Sequence, residues 1–138
     1  MQLVPYLSFN GQCEEAFRFY EACFGGKIAF MMNYGDSPMA AEAPAEWSKK
    51  IMHVTLAIGG QLLQGTDMPP GQYHKPQGIS VALNMKAAEA VDSERIFNAL
   101  AENGEVHMPI QETFWAARFG MVTDRFGTPW MINCEKPA

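Results

Sequence analysis

Two stretches of this chain echo each other. Shifted by 78 residues, the sequence superposes Phe19 on Phe97, Gly26 on Gly104 and Ile28 on Val106, each at the same place in a unit of helix, glycine stop and strand. Three matches alone are thin. They matter because the order of elements repeats with them, and because either half alone would leave a sheet face that must be covered.

The first half opens with alternating apolar and β-prone residues from Gln2 to Phe9, broken by Asn10-Gly11. Cys13, Ala16, Phe17, Tyr20 and Phe24 then fall on one face of a 3.6-residue period, with Glu14, Glu15, Arg18 and Glu21 on the other. Gly25-Gly26 supplies a left-handed helix stop. Lys27 to Tyr34 reads as a strand, and Ile51 to Ile58 and Gln61 to Gln64 read as a hairpin turning at Gly59-Gly60. The second half gives a strand at Ile79 to Met85 and a helix between Ala88 and Asn103, with Ile96, Phe97 and Leu100 inward. Strands at Glu105 to Gln111, Ala117 to Thr123 and Thr128 to Asn133 follow. The expected class is therefore α+β: one domain of two βαβββ modules, roughly residues 1–66 and 77–134, joined by a linker at 67–76. Two loops, 35–48 and 67–77, exceed the usual connection length and read either as lids or as plain linkers.

Composition narrows the partners. A formal charge of −5 with only ten Lys plus Arg and no basic run gives no footprint for nucleic acid. No apolar run approaches the roughly 20 residues of a membrane span, and the first ten residues lack the pattern of a leader. Cys13, Cys23 and Cys134 match no zinc spacing and suit free thiols in a reducing compartment, so a cytoplasmic location is expected. Cys13 and Cys23 sit on a helical pattern where packing explains them better than nucleophilic chemistry.

Four fragments, read together, resemble a known family: Val-Pro-Tyr-Leu-Ser-Phe-Asn-Gly at 4–11, Phe-Tyr-Glu-Ala-Cys-Phe-Gly-Gly at 19–26, Ile-Met-His-Val-Thr-Leu at 51–56, and the segment from Glu112 to Asn133. The last is the most specific, with Phe-Trp, Arg-Phe-Gly and Asp-x-Phe-Gly-x-x-Trp at fixed spacing. It departs from the usual pattern at Ala116 and Arg125, where Gly and Pro are the rule. The resemblance is to the PhnB-like branch of the glyoxalase/bleomycin-resistance, or vicinal oxygen chelate, superfamily. It implies mixed, curved sheets forming a cup, a homodimer, and a small-molecule ligand. Relatives have been labelled demethylubiquinone methyltransferases. The glycine-rich loop and alternating parallel α/β order of a methyl-donor pocket are missing here, which disfavours that activity.

Catalytic relatives place His or Glu on the first and last strand of each module, where four side chains hold a divalent ion. The resemblance puts Pro5, Gln64, Gly78 and Met131 there, and of these only Gln64 is even a poor ligand. No metal or other cofactor is expected. His53 stands in the family fragment, on the strand face opposite Met52 and Val54, and either donates one hydrogen bond or takes part in chemistry. His74 and His107 read as surface residues. Phe114, Trp115, Phe119, Phe126 and Trp130, interleaved with Arg118 and Asp124, have the composition of a small-molecule cup, or of a packed hairpin in which Arg118 pairs with Asp124. Strand alternation separates Arg118 from Phe119, so one of the two should be structural. Tyr6, His53, Gln64, Phe114, Trp115, Arg118, Phe119 and Trp130 are the candidate ligand-binding residues. The leading expectation is a metal-independent binding protein. The alternative is a metal-dependent lyase, isomerase or dioxygenase drawing on His53, Asp67 or a partner chain, and a third reading is a structural dimer module with a filled core.

Overall fold

Both halves deliver the repeat. The computed structural model describes residues 1–138, which fall into two compact units, 1–75 and 76–138. The first unit runs β1 (Tyr6–Phe9), α1 (Cys13–Phe24), β2 (Lys27–Asn33), β3 (Ile51–Ile58) and β4 (Gln61–Asp67). Its sheet has the order β1-β4-β3-β2, with β1 parallel to β4 and the other pairs antiparallel. The second unit runs β5 (Val81–Met85), α2 (Ala90–Ala101), β6 (Glu105–Gln111), β7 (Ala116–Thr123) and β8 (Pro129–Glu135). Its order is β5-β8-β7-β6, again with one parallel pair, β5 and β8. The class is α+β, two βαβββ modules.

The duplication reaches the hydrogen-bond register. In β2 the pairing slips between Ile28 and Phe30, and in β6 between Val106 and Met108, the same bulge at the same 78-residue offset. A side chain on Gly26 would press into the carbonyl of Ala57, and one on Gly104 into that of Thr123, so glycine is required where each helix hands over to its strand. The helices obey a different offset. The buried face of α1 is Cys13, Ala16, Phe17, Tyr20 and Cys23, and that of α2 is Ser93, Ile96, Phe97 and Leu100. The matched pairs Cys13 and Ser93, Phe17 and Phe97, and Tyr20 and Leu100 are 80 residues apart, so Phe97 corresponds to buried Phe17 and not to half-buried Phe19. The two-residue difference is taken up between helix and strand.

Each helix seats a phenyl ring on bare backbone. A Cβ at Gly65 of β4 would lie 2.6 Å from the Phe17 ring, and one at Gly120 of β7 would lie 2.7 Å from that of Phe97. These contacts fix which sheet face meets the helix. In the first unit Val54, Leu56 and Leu63 share that face and are buried; full burial of a ring such as Phe17 stabilises by about 2 kcal/mol.

Several boundaries differ from expectation for local reasons. β1 begins at Tyr6 instead of Gln2, because Pro5 has no N–H to pair, although its carbonyl still accepts from the Gln64 N–H at 3.1 Å. β4 runs past Gln64 to Asp67, since Phe9 pairs with Asp67 and accepts from Met68 N–H at 2.8 Å. Asp67, read from the sequence as the first linker residue, is thus the last of a strand. β5 starts at Val81, two residues after exposed Ile79 and three after Gly78, whose φ is 77°.

Candidate functional site

Alternation along β3 sends Val54 and Leu56 toward α1, and His53 and Thr55 to the opposite face. Register then aligns one row of side chains across all four strands: Tyr6 pairs with Gln64, Gln64 with Thr55, and Thr55 with Phe30. A continuous polar chain connects them. Gln64 Nε2 donates to Thr55 Oγ1 at 3.3 Å, Thr55 Oγ1 lies 3.1 Å from His53 Nε2, and His53 Nδ1 lies 3.2 Å from the Tyr6 hydroxyl. The Tyr6 and Phe30 rings flank the imidazole at 5.7 and 5.9 Å between centroids.

Donor counting shows what this chain can offer. If Thr55 donates to His53 Nε2, the Nδ1–H donates to the Tyr6 oxygen and the phenol proton is left over. In the other tautomer Tyr6 donates to Nδ1, the Nε2–H donates to Thr55, and the threonine proton is left over. Either way the chain itself leaves one hydroxyl proton unused, and the Thr66 hydroxyl beside Tyr6 is a further partner for the phenol. Partial burial pushes the Tyr6 phenol above its ordinary value, so at neutral pH it stays a protonated donor.

Backbone register decides which residues face one another across the first and last strands of each module. Tyr6, not Pro5, stands opposite Gln64, and Ala82, not Gly78, stands opposite Met131. Tyr6, Gln64, Ala82 and Met131 bring no imidazole and no carboxylate, and no three His, Cys, Asp or Glu side chains cluster anywhere in the chain. These residues do not fit a hard or borderline divalent ion. Asp67, the acidic alternative, is spent on structure: Oδ1 accepts from the N–H groups of Gly11 and Cys13 at 2.9 Å each, and Oδ2 from Ile51 at 2.8 Å. Cys13 is no nucleophile in waiting. Burial, with Asp67 and Glu14 adding to it, drives its thiol far above the ordinary range.

In the second unit Phe119, Met121 and Thr123 face away from α2, while Arg118 and Gly120 face it. Arg118 is the structural member of its pair with Phe119. Its Nε binds Glu94 of α2 and its Nη1 donates to the Ala117 carbonyl at 2.6 Å, and Glu94 raises the guanidinium pKa. The expected partner, Asp124, instead accepts from Phe126 and Thr128 N–H at 2.9 and 3.0 Å and from Trp130 Nε1 at 2.8 Å. Trp130 is therefore a buried turn anchor, 1% exposed, and lines no open face. Phe119 packs edge-on against Trp115, and Trp115 against Phe114, with centroids 5.1 and 4.8 Å apart. Phe114 is 89% exposed and Trp115 48%.

The candidates thus gather as Tyr6, His53 and Gln64 in the first unit and Phe114, Trp115 and Phe119 in the second. Arg118 and Trp130 belong to neither group. Thr55 and Phe30 were missed, although Thr55 is two residues from His53 on a strand and must share its face. Residues of both long loops that fall within the first unit line an open hollow of about 330 Å³, with Met39, Pro44, Pro69, Pro70 and Tyr34 on its walls.

Residues 1–133 match the family described as 3-demethylubiquinone-9 3-methyltransferase. Protein YjdN of Escherichia coli (strain K12) is 36% identical over 144 residues, an alignment covering 99% of this chain and 97% of YjdN. The crystal structure of protein PA1353 from Pseudomonas aeruginosa superposes with a TM-score of 0.89 at 48% identity, covering 99% of each chain. The fosfomycin resistance protein FosX from Listeria monocytogenes shares the fold, with a TM-score of 0.63 at 11% identity over 99% of this chain and 93% of its own. The chain belongs to the family that bears the demethylubiquinone methyltransferase description, and its fold is the glyoxalase/bleomycin-resistance fold.

Proposed function

We propose that the protein is a metal-independent small-molecule binding protein whose ligand docks on the first sheet, over Tyr6, His53, Thr55, Gln64 and Phe30. The observation that carries this reading is the hydrogen-bonded chain from Gln64 through Thr55 and His53 to Tyr6, with the Tyr6 and Phe30 rings on either side of the imidazole. Neutral donors and acceptors flanked by rings suit an apolar, flat ligand carrying a carbonyl or hydroxyl group. Methyl transfer draws no support from the fold, since each mixed sheet has a single parallel pair and no glycine-rich strand-to-helix loop. Function as a homodimer in a reducing cytoplasm completes the proposal; the three buried free cysteines suit such a compartment.

Native mass spectrometry of the purified protein tests it. A co-purifying organic mass, lost on Tyr6→Phe with the fold intact, is the expected result. Stoichiometric Mn, Ni, Fe or Zn by elemental analysis, with turnover lost to a chelator, would refute metal independence and return the protein to the lyase, isomerase or dioxygenase class.

A further inference from the structure

The second sheet carries a feature that the proposed ligand face does not use. Met108 pairs with Met121, and Met121 pairs with Met131, so three thioethers stand in one row on adjacent strands β6, β7 and β8. Directly paired residues share a face. Gly120, Val122, Trp130 and Ile132 take the helix side, which places all three methionines on the side turned away from α2. None of them belongs to the buried core, and Met108 is 36% exposed. His107, the extra residue of the β6 bulge, reaches the same face: its Nε2 lies 2.8 Å from Thr123 Oγ1, and Thr123 is two residues along β7 from Met121.

We propose that Met108, Met121 and Met131, with His107 beside them, form a binding site for a soft monovalent metal ion, Cu(I) in particular. The reasoning is one of reach and donor type. Neighbouring strands are about 4.8 Å apart, and a methionine side chain with three rotatable bonds bridges that gap easily, so the outer two sulfurs can lean over Met121 and meet above it. Thioether sulfur is a soft, uncharged donor that selects Cu(I) and leaves Mg, Mn and Ca to carboxylate sites. In the tautomer in which Nε2–H donates to the Thr123 hydroxyl, the His107 Nδ1 lone pair is left for a fourth bond. Competing thiols are absent from this face, because Cys134 alternates with Ile132 to the helix side and gives its Sγ to the Lys86 carbonyl at 3.2 Å. In the first unit the same row holds Gln64, Thr55 and Phe30, so the site has no twin.

Silver ion, a redox-inert stand-in for Cu(I), tests this with the full chain labelled at its ten methionine methyl groups with carbon-13. Titration should shift three methyl resonances, those of Met108, Met121 and Met131, and the shifts should saturate at one equivalent. Met121→Leu, which keeps volume and removes the central sulfur, should abolish the saturating shift; Met108→Leu, at a half-exposed position, serves if Met121→Leu does not fold. Tyr6→Phe should leave the silver response unchanged, which separates this site from the ligand face. The proposal is overturned if silver leaves these three resonances in place because the cysteines capture it, or if the responding methionines are others.

Discussion

In the first unit the row after the β2 bulge reads Tyr6, Gln64, Thr55 and Phe30; in the second, the row after the β6 bulge reads Ala82, Met131, Met121 and Met108. The backbone frame is one frame used twice, with the same bulge and the same glycine at the helix exit. The side chains on the face away from the helix have diverged completely, one toward neutral hydrogen bonding between rings, the other toward thioether. What the repeat preserves is therefore the set of positions that pack against a helix or pass close to backbone. What it leaves free is the opposite face, and that is where the two units can differ in what they bind.

The largest expected effect comes from comparing the two buried aspartates. Asp67 joins three segments, the Asn10-Gly11 turn, the start of α1 and the start of β3, over sequence separations of 56, 54 and 16. Asp124 accepts from Phe126, Thr128 and Trp130, all within six residues of itself. Asp67→Ala should cost about 3 to 4 kcal/mol, because N–H groups from three separate segments, two of them buried, lose their acceptor together. Asp124→Ala should cost about 2 kcal/mol, since a local turn can open to water. Urea denaturation monitored by circular dichroism measures both, and equal losses would show that the long-range tie adds nothing.

Next in size is the pair of glycine seats. Gly65→Ala and Gly120→Ala each drive a methyl into a phenyl ring, and each should cost about 1 to 3 kcal/mol by overpacking. Adding Phe17→Leu to the first, or Phe97→Leu to the second, should recover part of that loss as a coupling energy in a double-mutant cycle. Simple additivity in either unit would break the claim that ring and glycine are one device used twice.

These devices mark where the sequence could be read and where it could not. Periodicity located both helices, and β3 and β6 keep the bounds their alternation suggests, because local pattern and tertiary position agree there. The offset of 78 was correct for Gly26 and Gly104 but misled at Phe19, because the helices and strands repeat at different spacings and only burial reveals it. Gln61–Asp67 was cut short because Gly65 resembles a strand end, when it is the seat for Phe17. The chain from Tyr6 to His53 bridges 47 residues and crosses a parallel pair, and the methionine row depends on a bulge at His107. Neither can be seen until register is known.

Tyr6→Phe should change stability by less than about 1 kcal/mol at pH 7, as one half-exposed hydrogen bond is lost. Its pH dependence is the sharper test. A phenol whose pKa is raised in the folded state contributes stability that is present below its unfolded value, about pH 10, and lost as pH climbs toward the folded value. The wild type should therefore lose stability relative to Tyr6→Phe above about pH 10, a difference that thermal melts across the alkaline range would show. The second unit has Ala82 at this position, so Ala82→Val should give no such divergence.

The smallest effect is expected at Arg118, and its value lies in what does not change. Its guanidinium is exposed and bound to Glu94 on the helix side, so Arg118→Gln removes a surface ion pair, of a kind that seldom contributes measurably. Denaturation midpoints should barely move. If β7 alternates as described, Arg118→Gln should also leave the silver response of Met121 intact, while Phe119→Ala, on the methionine side of the same strand, should alter the Met121 methyl resonance before any metal is added. A Met121 signal that follows Arg118 and ignores Phe119 would mean that the two faces of β7 have been exchanged, and the contrast between the units would fall with it.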